Sequence, residues 1–277
     1  MVHNLNLPIG IFDSGVGGLS VLRAVREQMP NESVIYFADQ GHVPYGSRSM
    51  EQIQNFSEGI TNFLLEQNAK MIVVACNTAS AAALKYLREK FPVLQFVGME
   101  PAVKPAAEYT RTGKVGVLAT PATFQGALYA SVVERFANGV ELLQSACPGL
   151  VQEIEMGNLD GLEARRILED ALLPMLEKNI DTVVLGCTHY PFVIPLIQRI
   201  VGEKVRVIDP APSVARQAGR LLEAGGMKNQ SKSKGVVRLY TSGDPESLKS
   251  MLPMLLGESG EVQRAAWLND HLTADAI

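Results

Sequence analysis

The sequence predicts an α/β protein made of two pseudo-symmetric, doubly wound parallel-sheet units. Short runs of consecutive apolar residues alternate with helical patterns along the whole chain, and the runs of one half recur in the other. The composition is that of a globular protein: of 277 residues, 47% are hydrophobic and 19% charged, which argues against a largely disordered chain. At about 150 residues per domain, the length gives a prior of two domains.

Seven runs read as buried strands: residues 8–13, 34–37, 71–75, 95–98, 115–119, 182–186 and 205–208. They are apolar at consecutive rather than alternate positions, as expected of parallel strands covered on both faces. Helical stripes lie between them. Leu22, Val25 and Met29 form one, and Phe56, Ile60, Phe63 and Leu64 another. Residues 81–87, 122–136, 162–176, 194–200 and 214–222 are further helical segments. Strand and helix in alternation imply right-handed βαβ units.

Three matches support the repeat. IGIFDS, beginning at Ile9, resembles VGVLAT at Val115; IVVACNT at Ile72 resembles VVLGCTH at Val183; GMEPA at Gly98 resembles VIDPA at Val207. Their order is the same and their offset nearly constant at about 110 residues, the mark of a duplicated unit. The expected division is 1–100 plus 210–277 for the first unit and 101–209 for the second, with the active site in the cleft between them.

Charge and cysteine content exclude several classes. The net charge is -4 and there is no dense basic block; Lys228, Lys232 and Lys234 sit in a Ser/Asn/Gly-rich loop, so nucleic acid is not an expected partner. No apolar run reaches the roughly 18 residues that span a bilayer, and the first seven residues lack a signal-peptide pattern. Three cysteines are too few for a disulfide scaffold. The expectation is a soluble cytoplasmic protein with reduced thiols and no membrane partner.

Cys76 and Cys187 each end an apolar strand and precede hydroxyl or amide residues and a helical pattern. In open α/β sheets the carboxyl ends of strands face the ligand crevice. A thiol there meets the N–H groups and positive end of the next helix, which lower its pKa from about 8.5. Either cysteine alone reads more readily as a small core residue; two at equivalent places of a duplicated unit favour chemistry. Asn77, Thr78, Thr188 and His189 would supply further donors, and His189 suits proton relay. Cys147, after an irregular stretch and before Pro148, lacks this context and reads as structural. A zinc site from Cys76, Cys187 and His189 would have no C-x₂-C pair, so no metal is expected.

DSGVGG, from Asp13 to Gly18, is neither G-x-G-x-x-G nor a Walker loop and is read as a tight turn. Asp13 and Ser14 there could orient a substrate ammonium or a nearby thiol. The loop FADQGHVPYGSRS offers Asp39, Tyr45 and Gly46 to a polar ligand, or is a plain connection. Glu153 and Glu155 read as solvated charges.

Taken together, DSGVGGLSVL, ADQGHVPYG, ACNTAS and GCTHYP resemble the glutamate racemases of the aspartate/glutamate racemase superfamily, in order and from Pro8 to about Leu222. The resemblance implies a cofactor-independent enzyme that interconverts L- and D-glutamate and supplies D-glutamate for peptidoglycan. It makes Cys76 and Cys187 the paired acid and base, with Asp13 and His189 their assistants. Cys76 would take the proton from D-glutamate and Cys187 from L-glutamate. Asp13, Ser14, Asp39, Tyr45, Gly46, Asn77, Thr78, Thr188 and His189 would bind substrate. Glu155 resembles a further acidic assistant; the segment VQEIE departs from the family's commoner apolar, Pro-rich form and leaves Glu153 and Glu155 as alternatives. Some members carry an N-terminal extension tied to activation by a nucleotide-linked cell-wall precursor. Only seven residues precede Pro8, so that activation is not expected.

No flavin or nicotinamide fingerprint is present, and no lysine sits at a candidate strand end, although the sequence alone leaves a pyridoxal lysine open. No cofactor is expected. A racemase of another acidic amino acid such as aspartate, and a non-catalytic carboxylate-binding protein, are the alternatives. A redox pair is disfavoured by the absence of C-x-x-C. The partner is a small molecule, and a homodimer is kept open.

Overall fold

The computed structural model describes residues 5–268 and 271–274. The chain divides into two compact units, Met1–Met99 with Ala211–Ile277, and Glu100–Pro210. The first segment runs β1 (Ile9–Asp13), α1 (Leu19–Gln28), β2 (Val34–Ala38), α2 (Met50–Glu66), β3 (Met71–Val74), α3 (Asn77–Lys90) and β4 (Phe96–Gly98). The inserted unit follows as α4 (Val103–Tyr109), β5 (Lys114–Ala119), α5 (Pro121–Gln125), α6 (Ala127–Phe136), β6 (Glu141–Ser145), α7 (Leu150–Glu155), α8 (Leu162–Glu177), β7 (Thr182–Gly186), α9 (Ile194–Val201) and β8 (Arg206–Ile208). The chain then adds α10 (Ala211–Ala224), β9 (Val237–Thr241), α11 (Pro245–Leu255), β10 (Val262–Leu268) and β11 (His271–Ala274).

The first unit is one sheet in the order β11-β10-β9-β2-β1-β3-β4, and the second a sheet in the order β6-β5-β7-β8. All pairs are parallel except β10 with β11. The expected α/β class with parallel sheets is borne out. The repeat has a topological counterpart: β2-β1-β3-β4 and β6-β5-β7-β8 are the same order, and the sequence matches fall on β1 with β5, β3 with β7, and β4 with β8.

β1, β2, β3 and β7 are buried along their whole lengths, which is why they read as continuous apolar runs. Phe12, Ile35, Phe37, Ile60, Phe63 and Val74 pack in one core of the first unit, and Val115, Val117, Val132 and Val184 in a core of the second. α2 starts at a capping box, Ser49 accepting from the Gln52 N–H while Gln52 reaches back to the Ser49 N–H. The helix expected over 122–136 is two helices. Gly126 sits between them in extended backbone, with φ −70° and ψ 138°, and breaks the run. β6, β9, β10 and β11 were not expected from the sequence, because polar residues interrupt their apolar ones and much of each is partly exposed. Among the described residues no helix is long and apolar enough to cross a membrane.

A buried ion pair fastens the first unit where its segments meet. Lys70 Nζ lies 2.6 Å from Glu32 Oε2 and donates to the carbonyls of Leu5 and Met227 at 2.8 and 2.9 Å. Glu32 Oε1 accepts the Asn229 N–H at 2.7 Å. Both side chains are nearly excluded from solvent, at 5% and 2% exposure, so losing one partner strands the other charge. Lys70→Met should therefore cost about 3–5 kcal/mol, read as a lower urea midpoint. Adding Glu32→Leu should recover part of that loss and no more, since the Leu5 and Met227 carbonyls keep no donor. A Lys70→Met midpoint equal to wild type would refute the clasp.

Candidate active site

In the first unit, strand register collects the polar residues at one edge. Asp13 pairs beside Ala38, and Phe12 beside Val74, so Asp13, Asp39 and Cys76 lie at or just past the carboxyl ends of adjacent strands. Cys76 is the N-cap of α3, extended at φ −128° and ψ 123°, and its Sγ accepts the Ala79 N–H at 3.4 Å. The sulfur thus sits at the positive end of a 14-residue helix, where a thiolate is favoured. Ser14 Oγ is 3.8 Å from it. Ser14, Asn77 and Thr78 are buried beside it in sequence or space.

Asn77 stands out. Its side chain is 3% exposed, yet neither Nδ2 nor Oδ1 has a hydrogen-bond partner. Leaving a buried amide unpaired costs about 1–3 kcal/mol for each group, a cost that a polar ligand would remove.

Asp13 is fully buried, and its Oδ2 accepts the Gly15 N–H at 2.9 Å. Tyr36 donates its hydroxyl to the Gly15 carbonyl at 2.6 Å. DSGVGG is therefore a braced turn into α1, and Gly18 is required there because a Cβ would lie 2.7 Å from that of Asp13. Tyr45 is 1% exposed and donates to Asp39 Oδ2 at 2.6 Å, with Gly46 following it in the 3-10 turn Tyr45–Ser47. Burial first, and then the Asp39 charge, pushes the Tyr45 phenol well above its usual range, so it stays neutral.

In the second unit, Ala119 pairs beside Gly186, which brings Cys187 to the carboxyl edge of its sheet. Gly186 is needed for close packing, since a Cβ there would lie 2.7 Å from that of Ala119. Here the thiol differs from the expectation. The next helix begins only at Ile194, after the 3-10 turn Tyr190–Val193, and the partner of Cys187 Sγ is His189 Nδ1 at 3.8 Å. His189 Nε2 in turn lies 2.6 Å from Glu155 Oε1. Burial alone would lower the His189 pKa; the contacts with Cys187 and Glu155 overcome it and hold the ring well above the usual 6.5. Thr188 is buried next to them.

Glu155, at the end of α7, is the carboxylate that meets His189, while Glu153 lies in the first turn of that helix. Cys147 corrects another expectation. β6 ends at Ser145, two positions earlier, so this thiol also sits past a strand's carboxyl end, and burial pushes it up to about 12. It is a neutral thiol at physiological pH. Sequence reasoning missed Ser242 and Trp267, which donate to Asp39 from 203 and 228 residues away, a separation that no local pattern signals.

Each unit thus presents a cysteine from the equivalent strand in its own polar setting: a helix terminus for Cys76, and the His189 ring backed by Glu155 for Cys187. Residues 13–218 match the family described as Asp/Glu/Hydantoin racemase. A glutamate racemase of Pseudomonas aeruginosa (strain UCBPP-PA14) is 50% identical over 92% of this chain and 96% of its own length. Among solved structures, a glutamate racemase isoform from Bacillus anthracis aligns with a TM-score of 0.85 at 32% identity, covering 97% of this chain and all of its own. A glutamate racemase from Francisella tularensis, solved in complex with D-glutamate, aligns with a TM-score of 0.82 at 31% identity, over 95% of this chain and 98% of its own. The chain belongs to the Asp/Glu/Hydantoin racemase family.

Proposed function

We propose that this protein racemises glutamate with two cysteines as acid and base and no cofactor. The observation that carries the reading is the pair Cys76 and Cys187 at the carboxyl ends of β3 and β7, equivalent strands of two units with one topology. The identity of 50% to a glutamate racemase favours glutamate over aspartate as substrate. Both thiols are present, which disfavours a binding protein without chemistry. D-Glutamate made in the cytoplasm would serve peptidoglycan synthesis.

Racemisation removes the α-proton from one face and returns a proton to the other. One group would have to move to do both; two groups, one for each face, need not. One starts as thiolate and the other as thiol, and they exchange states in each turnover. Cys76 serves the D-enantiomer and Cys187 the L-enantiomer. Asp13 and Ser14 assist on the side of Cys76, His189 on that of Cys187, with Glu155 keeping His189 protonated. Asn77, Thr78, Tyr45, Gly46 and Thr188 bind the substrate's polar groups. Preorganised donors around the carboxylates supply most of the lowering of the barrier to the carbanion.

A chiral assay on purified protein, with aspartate as control and no added cofactor, should show interconversion of the glutamate enantiomers alone. Racemisation of aspartate instead would overturn the substrate. Cys76→Ser and Cys187→Ser should each lose at least about a thousandfold in both directions, whereas Cys147→Ser stays within about threefold, its thiol being neutral. Near-normal turnover by either of the first two would refute the two-thiol scheme.

In heavy water the inverted product should gain α-deuterium at once and the recovered starting enantiomer slowly. Comparable early labelling of both would mean a single shared base. With a substrate whose loss of a leaving group needs abstraction alone, Cys187→Ser should still process the D form and Cys76→Ser the L form. The opposite pattern reverses the assignment.

Glu155→Gln should lower the His189 pKa and reduce kcat/KM about tenfold, the loss of one charge-assisted hydrogen bond. Because the wild-type pKa is raised, its stabilising contribution is full below about pH 6.5 and is lost as the pH climbs through the raised value. Imidazole NMR titration of the two proteins checks the shift; equal His189 pKa values would contradict the role of Glu155.

A further inference from the structure

The carboxylate of Asp39 is the hub of a cluster drawn from separate stretches of the first unit. Its Oδ1 accepts the indole N–H of Trp267 at 2.8 Å and the hydroxyl of Ser242 at 2.6 Å. Its Oδ2 accepts the Tyr45 hydroxyl at 2.6 Å and the His42 Nδ1–H at 2.9 Å. Asp39 is itself fully buried. An indole nitrogen can only donate. Oδ1 is thereby fixed as an acceptor, and the two oxygens together hold a full set of donors. The Tyr45 hydrogen is committed to Asp39, so its phenolic oxygen presents only lone pairs to anything bound beside it.

The loop backbone is tied to the same place. Ser242 Oγ, while donating to Asp39, accepts the Gly41 N–H at 2.9 Å. Rings close the cluster: His42 stacks parallel on Phe56 at 3.9 Å, and the Trp267 ring stands edge-on to His42 at 5.3 Å. Charge-assisted bonds to a desolvated carboxylate are short and strong, and the set is mutually reinforcing. Asp39 has no capacity left for substrate, which separates its role from that of Tyr45 and Gly46.

We infer that Trp267, acting through Asp39, is a positioning residue for racemisation: it holds Tyr45 and Gly46 in their substrate-binding pose from the far end of the chain. This rests on the reading of Tyr45 and Gly46 as substrate contacts. Because Trp267 acts through Asp39 rather than on the reacting atoms, its loss should be felt in binding rather than in the chemical step.

The test uses the full-length protein. Trp267→Phe keeps an aromatic ring and removes the N–H. KM for glutamate should rise about tenfold while kcat stays within about threefold. Trp267→His, which restores a ring N–H, should return KM to within about threefold of wild type. Ser242→Ala, removing the other donor to Oδ1, should raise KM in the same direction and decides the matter if the tryptophan variants do not fold. An unchanged KM in Trp267→Phe or Ser242→Ala overturns the inference. So does a fall in kcat as large as the rise in KM with no rescue by histidine, which marks a merely structural role. Wild-type protein inactive on glutamate would instead defeat the proposed function, an outcome distinguishable from the other two.

Discussion

Parallel hydrogen bonding obliges neighbouring strands to end at the same edge of their sheet, and the placement of the cysteines and of the carboxylates Asp13 and Asp39 follows from that. Asp13 at the end of β1, Asp39 after β2, Cys76 after β3 and Ser242 after β9 are far apart in the chain and close at one rim because the register aligns Asp13 with Ala38 and Ala38 with Thr241. In the second unit the same rule delivers Cys147 and Cys187 past the ends of β6 and β7. The buried strands β2, β3 and β7 are largely apolar and interchangeable in chemistry. What distinguishes the edge is the one or two residues that each strand releases as it turns toward its helix.

Equivalent strands do not give equivalent thiols. Backbone N–H groups at the start of α3 face Cys76, whereas His189 and Glu155 face Cys187. For a racemase this asymmetry cannot favour one direction. Substrate and product are mirror images with an equilibrium constant of one, so kcat/KM is the same from either side in wild type and in any variant. Different thiol environments can change the size of that shared quantity and how it divides between kcat and KM in each direction, but never its equality between the two. Duplication supplied two thiols at matching places, and each unit surrounds its thiol with different groups.

The parts of this arrangement that were legible in the sequence are those encoded locally. Cys76, Cys187 and Asp13 stood out because each closes a buried run whose apolar residues are consecutive, and His189 because it lies two residues past Cys187. The choice between Glu153 and Glu155 was not legible. About 100° per residue separates them by roughly 200° around a helix, so one alone can reach His189, but a single short turn shows no apolar face that says which. β6 (ELLQS), β9 (VRLYT) and β10 (VQRAAWL) were missed because half-exposed strands mix polar and apolar residues. The Asp39 cluster was invisible for a different reason. Its donors Ser242 and Trp267 come from those same missed strands or their ends, so an unrecognised strand concealed an unrecognised partner.

The interruption of the first unit by the second also sets a timetable for synthesis. β2 (VIYFA) is apolar throughout and pairs on one side with β1, but its other neighbour, β9, lies about 200 residues further along. At about 5–20 residues per second, the ribosome needs roughly 10–40 s to deliver that neighbour. During that interval β2 is the edge of an incomplete sheet, with unpaired N–H and carbonyl groups and a sequence well suited to joining another strand. The nascent chain is thus most prone to self-association between the emergence of β2 and that of Val237–Thr241. Chaperone occupancy on the ribosome should peak there, although nothing in the finished protein leaves that edge open.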